Sequence, residues 1–168
     1  LLYYSIQAAI KSKKFDEIYI NSDCEIFEKI AKKYKVKFYL RPKKLGKSDI
    51  HSDDVVYDFI KNINCDKLFW INSIAPLQNY IDISSAFENF IKSDKDSFFT
   101  VQKKNVHGIY KNKPINYLKN RKFHRTQDLK PFSEIDYNVM AWKTKKFISD
   151  YKKNKYAFFC GSTLFHNS

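Results

Sequence analysis

The stretch EIYINSDCEIFEKIAKKYKVKFYLRPKKLGKSD, Glu17 to Asp49, decides the fold. Its first residues, Glu17 to Asn21, form a short β-rich run. Ser22-Asp-Cys-Glu25 then has the spacing of a helix capping box. Ile26, Phe27, Ile30, Ala31 and Tyr34 recur at helical spacing, and the pattern ends near Lys35. Val36 to Leu40 is a second short strand, and Pro42 and Gly46 break the chain in the loop that follows. Strand, helix and strand in such close succession predict a parallel β-α-β unit.

The same alternation extends in both directions. Upstream, Leu2, Ile6, Ala9 and Ile10 share a helical face, so a helix is already under way at residue 1 and the chain is expected to begin inside a longer protein. Downstream, Asp53 and Asp54 place negative charge at the start of a helix running to about Ile63, where the helix dipole favours it. KLFWI, Lys67 to Ile71, is nearly continuously apolar, as expected of a strand buried on both faces. A helix over residues 81–91 and a strand from Ser97 to Gln102 follow. Polar, turn-rich sequence then runs to Pro131. A strand around Tyr137 to Trp142, a helix from Thr144 to Tyr151 and a last β segment near Tyr156 to Phe159 complete the reading. Strands alternating with helices predict one α/β domain over residues 1–168, built on a mostly parallel sheet.

Composition narrows the function. The hydrophobic fraction of 43% and aromatic fraction of 17% exclude a disordered chain. The formal charge of +13 admits a polyanionic partner, but the lysines are scattered as KSKK, AKKY, RPKK, KTKK and YKKNK, and no single helix face collects them. No nucleic-acid partner is therefore expected. Cys24, Cys65 and Cys160 form no CxxC pair, which suggests neither zinc nor a disulfide framework and fits a reducing cytoplasm. No apolar run approaches the length of a membrane span. The four histidines show no metal-binding spacing, and no glycine-rich phosphate cradle occurs.

In parallel α/β sheets ligands bind beyond the carboxyl ends of the strands, so the loops after Ile20, Leu40, Ile71 and Gln102 carry the candidates. Asn21, Ser22 and Asp23 stand beside a helix N-terminus, which reads either as a plain cap or as an anion site. Arg41, Asp49 and Ser52 have the donors and acceptors to bind a base or ribose, and equally suit a solvated connection. Asn72, Ser73 and Pro76 form a polar turn after the apolar strand. In the segment Arg121 to Asp128, Arg125, Gln127 and Asp128 suit a carboxylate or phosphate, for which arginine offers a planar fork.

Residues 8–49 together resemble the acylneuraminate cytidylyltransferases, or CMP-sialic acid synthetases, a family with one strand ending in S-T-D and the next in L-R-P. Here those ends are Asn21-Ser22-Asp23 and Leu40-Arg41-Pro42. WINSIAPLQ, residues 70–78, stands where the family has LLQPTSPLR, with Asn72 in place of the glutamine and Pro76-Leu77 matching. Arg125, Gln127, Asp128 and Leu129 match R-x-Q-D-L, and residues 136–142, DYNVMAW, correspond to N-G-A-I-Y-I.

The resemblance implies a three-layer αβα sandwich of the Rossmann-like, GT-A-like nucleotidyltransferase type. It implies transfer of CMP from CTP to an acidic 3-deoxy-ulosonic sugar, with release of pyrophosphate. Asp23, Arg41, Asp49, Ser52 and Asn72 would serve the nucleotide, and Arg125 and Gln127 the sugar. The family's R-x-G-S-K-G loop and its D-x-D metal pair have no counterpart in these residues, so Mg²⁺ ligands are expected elsewhere and residues 1–168 alone are expected to be inactive. The family's R-P-N-G reads Glu134-Ile-Asp136-Tyr137, without its arginine. A homodimer is implied, with the segment after Gln102 at the interface. Alternatives are a non-catalytic nucleotide-binding or scaffold relative of the same fold and a basic RNA-binding protein.

Overall fold

The computed structural model describes residues 1–119 and 122–167. In chain order the elements are α1 (Leu2–Ser12), β1 (Tyr19–Ser22), α2 (Ile26–Tyr34), β2 (Lys37–Leu40), a 3₁₀ turn (Lys43–Gly46), α3 (Ser52–Asn62), β3 (Lys67–Ile71), α4 (Tyr80–Lys92), β4 (Ser97–Lys104), β5 (Ile109–Tyr110), β6 (Lys113–Pro114), a 3₁₀ turn (Thr126–Asp128), β7 (Phe132–Lys143), α5 (Thr144–Asn154) and β8 (Thr163–Asn167).

The described strands form three sheets, of which the smallest is the antiparallel pair β5-β6. β1 and β2 pair in parallel, and β3-β7-β4-β8 form a four-stranded sheet. β3, β4 and β8 run one way, and β7 lies antiparallel between β3 and β4. Three of those four strands thus share a direction. The reversal follows from the long connection between β4 and β7, which carries the chain around the sheet without a crossover helix.

Helices cover both faces, giving the expected αβα layers. α1 and α4 bury Ala8, Ile83, Ala86 and Phe90 against Phe98, Val139 and Ala141. Ile6, Ile20 and Ala31 join α1, β1 and α2. On the other face, Val56, Phe59 and Ile60 of α3 and Phe147 of α5 pack on Phe99, Met140 and Trp142. The indole N–H of Trp142 donates to the Phe158 carbonyl at 2.6 Å, so the largest core side chain carries no unpaired donor.

Three expectations are corrected. Ser22 and Glu25 form no capping box: Ser22 stays in the β1 ladder, its carbonyl accepting the Arg41 N–H, and α2 is capped by Glu25 without a side-chain bond. The capping box that exists is Asn79 with Asp82, at the start of α4. The last strand is not at Tyr156 to Phe159. There Asp53 accepts the N–H groups of both Ala157 and Phe158, pinning a turn, and the strand is Thr163–Asn167. Finally, β3 is half-buried rather than the most buried strand, and the fully covered residues are in β4 and β7.

Candidate active site

Three strand ends converge at one edge of the sheet. β1 ends in Asn21-Ser22, and the Arg41 N–H donates to the Ser22 carbonyl at 2.8 Å, extending the β1-β2 ladder so that Arg41 stands beside Asp23. The Arg41 guanidinium donates to the Asp23 carboxylate at 3.2 Å, and its side chain is 18% exposed. The Lys43–Gly46 turn closes over this pair. A Cβ on Gly46 would lie 2.1 Å from an Asp23 carboxylate oxygen, so a side chain there would require the carboxylate to move aside. Asp23 is thus held between a guanidinium and a backbone turn.

Arg41 is only partly satisfied. Its Nε and the side-chain carbonyl oxygen of Asn21 are buried without a hydrogen-bond partner. Both residues line a groove of about 850 Å³ that also reaches Asn72. A buried donor and acceptor left open cost about 1 to 3 kcal/mol each, so a ligand that satisfies them gains that much.

A second cavity, of about 820 Å³, shares Trp70 and Asn72 with the groove. The first turn of α3 contributes Ser52 and Asp53, and Trp70, Tyr137, Tyr156 and Phe158 form an aromatic wall. Asn72 sits at the junction: its N–H donates to the Asn138 carbonyl at 2.9 Å, and its side-chain oxygen accepts the Ile74 N–H.

Tyr137 reaches the cavity because β7 is irregular. Phe99 faces Met140 and Val101 faces Ile135, so residues 136–139 loop out opposite Thr100 alone. The buried Thr100 hydroxyl donates to the Asp136 carboxylate and accepts the Val139 N–H at 3.0 Å, and the Asn138 N–H donates to Asp136. The bulge forces Tyr137 to φ 56°, a left-handed conformation that a large side chain adopts only when its surroundings impose it. Such bulges re-aim side chains beside active sites.

Of the residues picked from sequence, Asp23 and Arg41 are in contact, and Ser52 and Asn72 line the adjoining cavity. Asp49 is exposed and lines neither space, and the same holds for Gln127. Arg125 forms a surface fork with Asp128 at 2.8 and 3.2 Å, and also lines neither. Arg121 lies outside the described residues. Sequence reading missed Trp70, Asp53 and Tyr137. For Tyr137 a signal existed, since it occupies the family's glycine position, where a positive φ is expected. Among the described residues no cluster of three or more His, Cys, Asp or Glu side chains is placed to hold a metal, and no helix is long and apolar enough to cross a membrane.

Comparison with known proteins agrees with this geometry. A family model described as Cytidylyltransferase matches residues 1–156. The N-acylneuraminate cytidylyltransferase of Oncorhynchus mykiss is 26% identical over 102 residues, covering 60% of this chain and 24% of that protein. The pseudaminic acid cytidylyltransferase of Campylobacter jejuni is 31% identical over 105 residues, covering 59% and 45%. The chain thus spans less than half the length of these curated relatives. Among solved structures, a CMP:2-keto-3-deoxy-manno-octonic acid synthetase complexed with CTP superposes with a TM-score of 0.68 at 9% identity, over 99% of this chain and 78% of that one. The 4-diphosphocytidyl-2C-methyl-D-erythritol synthase of Anaerococcus prevotii gives the same TM-score at 11% identity, with the same coverage. Converging strand ends, the guanidinium held at their edge and a family match over nearly the whole chain place this protein in the cytidylyltransferase family.

Proposed function

We propose that the chain supplies the nucleotide-recognition half of an enzyme that transfers CMP from CTP to an acidic 3-deoxy-ulosonic sugar of the sialic-acid type, giving the CMP-sugar and pyrophosphate. The observation that carries this reading is Arg41: one guanidinium nitrogen engages Asp23, while Nε stays buried and unpartnered beside Asn21 at the strand ends. A base or ribose offers the acceptors that this geometry leaves open. Asn21, Asp23, Arg41 and Asn72 bind the nucleotide, with Ser52 presenting the start of α3 to the cavity; Asp49, which lines neither space, is assigned to the nucleotide by the resemblance alone. The aromatic wall of Trp70, Tyr137 and Tyr156 offers flat faces to a ring. The Mg²⁺ implied by the resemblance finds no carboxylate cluster among the described residues, so what these side chains contribute is binding and orientation.

The names of the relatives support an acidic sugar as acceptor, and Arg125 and Gln127 are read as its contacts. The segment carrying them also exposes Ile109, Tyr110, Ile115 and Leu118, an apolar surface that fits the homodimer. The test is pyrophosphate release by the full-length gene product with CTP and sialic, legionaminic or pseudaminic acid. Arg41→Ala should weaken CTP binding about 10- to 100-fold, the loss of one or two hydrogen bonds to a charged group. Release only with a different nucleotide, or with a neutral sugar, would refute the assignment.

A further inference from the structure

Tyr137 holds a conformation that its own side chain disfavours. Its φ of 56° lies in the left-handed region, where a bulky residue is strained, while the next residue, Asn138, is of a type that enters this region far more readily. The bulge does not depend on the tyrosine for its shape. Asp136 accepts the Thr100 hydroxyl and the Asn138 N–H, and Thr100 accepts the Val139 N–H at 3.0 Å, so the residues on either side fix the backbone. The ring contributes little burial in return, since Tyr137 is 43% exposed. Strain of this kind, imposed by neighbours and unrewarded by packing, marks a side chain placed for a ligand.

The space that Tyr137 lines has a chemistry of its own. Asn21 and Arg41 line the groove and not the cavity, Tyr137 and Tyr156 line the cavity and not the groove, and Trp70 and Asn72 line both. With the nucleotide held at Arg41, the cavity across Asn72 is left for the acceptor. The chain carries 31 lysines and arginines, yet among the described residues none lines this cavity. Its two carboxylates are already engaged. Asp53 accepts the N–H groups of Ala157 and Phe158, and Asp150 accepts the Lys146 ammonium at 2.9 Å and the Gly161 N–H at 3.3 Å. An anionic group entering here loses its water beside two negative groups and meets no cation. Aromatic faces and the amides of Asn72 and Asn154 instead suit an uncharged group with one apolar and one hydrogen-bonding part.

We propose that Tyr137 is a specificity-determining residue, the wall on which an uncharged acylamino substituent of the acceptor packs, while the acceptor's carboxylate stays outside the cavity. This rests on the nucleotide assignment made above. It is a property of this chain's own sequence, because a glycine at the same position, as in the family's pattern, leaves that wall open.

The test compares two acceptors on the full-length gene product at saturating CTP: an acid sugar bearing an acylamino group, and the otherwise identical acid with a hydroxyl group at that carbon. The wild type should show a KM about 3- to 10-fold lower for the acylated acid, the worth of one aromatic contact. Tyr137→Gly should bring the two KM values together, and Tyr137→Phe should keep them apart, since the ring face and not the hydroxyl makes the contact. CTP affinity should be the same in all three proteins. Tyr137→Gly should not lower the Tm, because it relieves the left-handed strain. The proposal falls if the wild type does not distinguish the two acids, if the glycine variant still does, or if the phenylalanine variant does not. A loss of CTP affinity in Tyr137→Gly would turn the ring toward the nucleotide, and a Tm lower by several degrees would make it a packing residue; either overturns the inference. Absence of pyrophosphate release with every acid sugar sinks the enzyme assignment and this inference together, whereas release with an unaltered KM ratio in the glycine variant sinks the inference alone.

Discussion

Gly46 shows how one residue's lack of a side chain holds the site together. Its backbone fills the space against Asp23, and Asp23 in turn fixes Arg41. Gly46→Ala drives a methyl group into the carboxylate, which must swing away from Arg41, and should cost up to about 1 kcal/mol of stability, the worth of a part-exposed ion pair. If Arg41 serves the nucleotide as proposed, the same change should weaken CTP binding by swinging Arg41 away. If the clash with Asp23 is the cause, Asp23→Ala removes it, and thermal melts of both single variants and the double should show that the alanine at 46 costs little once Asp23 is gone. Equal costs in both backgrounds would mean that the turn itself, and not Asp23, demands glycine. That Asp23 and Arg41 stand at strand ends was legible from sequence because strand ends are local, while their role toward a nucleotide comes from the resemblance. Their contact with Gly46 was not legible, since nothing in the run RPKKLG says which face the turn presents.

At the scale of elements, KLFWI was read at its observed boundaries because apolar continuity and flanking polar residues agree. The helix ends near Lys35, Ile63 and Ile91 were read to within about a residue, and the end of α5 was not. α1, α2 and α5 stop at Lys13, Lys35 and Lys155 in the left-handed conformation, a position where glycine ordinarily signals the end. A chain with so few glycines hides its own punctuation, so α5 was expected to stop at Tyr151 and continues to Asn154. The strand direction of β7 has no local signature at all. Tyr151 itself ties α5 to α3, its phenol donating to Asp54, and burial first, then that bond, pushes its pKa up to about 12. An unfolded tyrosine titrates near 10. The folded state therefore holds this proton more tightly, giving stability that is complete below about pH 10 and is lost as pH rises through about 12. Tyr151→Phe should cost about 1 to 2 kcal/mol at pH 7, the worth of a hydrogen bond to a carboxylate. Denaturant titrations across pH should show that gap closing between pH 10 and 12. A gap independent of pH would place the cost in packing against Tyr57 rather than in the bond.

For the whole molecule, the segment between β4 and β7 is the part that the sheet leaves unpartnered. Among its described residues the strands are the two-residue β5 and β6, and it exposes Ile109 and Tyr110 at 65% and Leu118 at 57%. Burying such side chains against a second copy gains roughly 25 cal/mol for each Å² of apolar surface removed from water, which gives a reason for apolar residues on an otherwise polar arm. The same arm holds Arg125 and Gln127, which line neither cavity of their own chain. If they serve the acid sugar, a dimer is what brings them to a site. Ile109→Asp with Leu118→Asp should therefore convert the full-length protein from dimer to monomer in sedimentation. The monomer should keep its CTP affinity, because Asp23, Arg41 and Asn72 belong to the sheet edge, while its KM for the acid sugar rises at least about tenfold with the loss of one charged contact. An unchanged sugar KM in a verified monomer would remove Arg125 and Gln127 from the sugar site, and a variant that stays dimeric would move the interface off this arm.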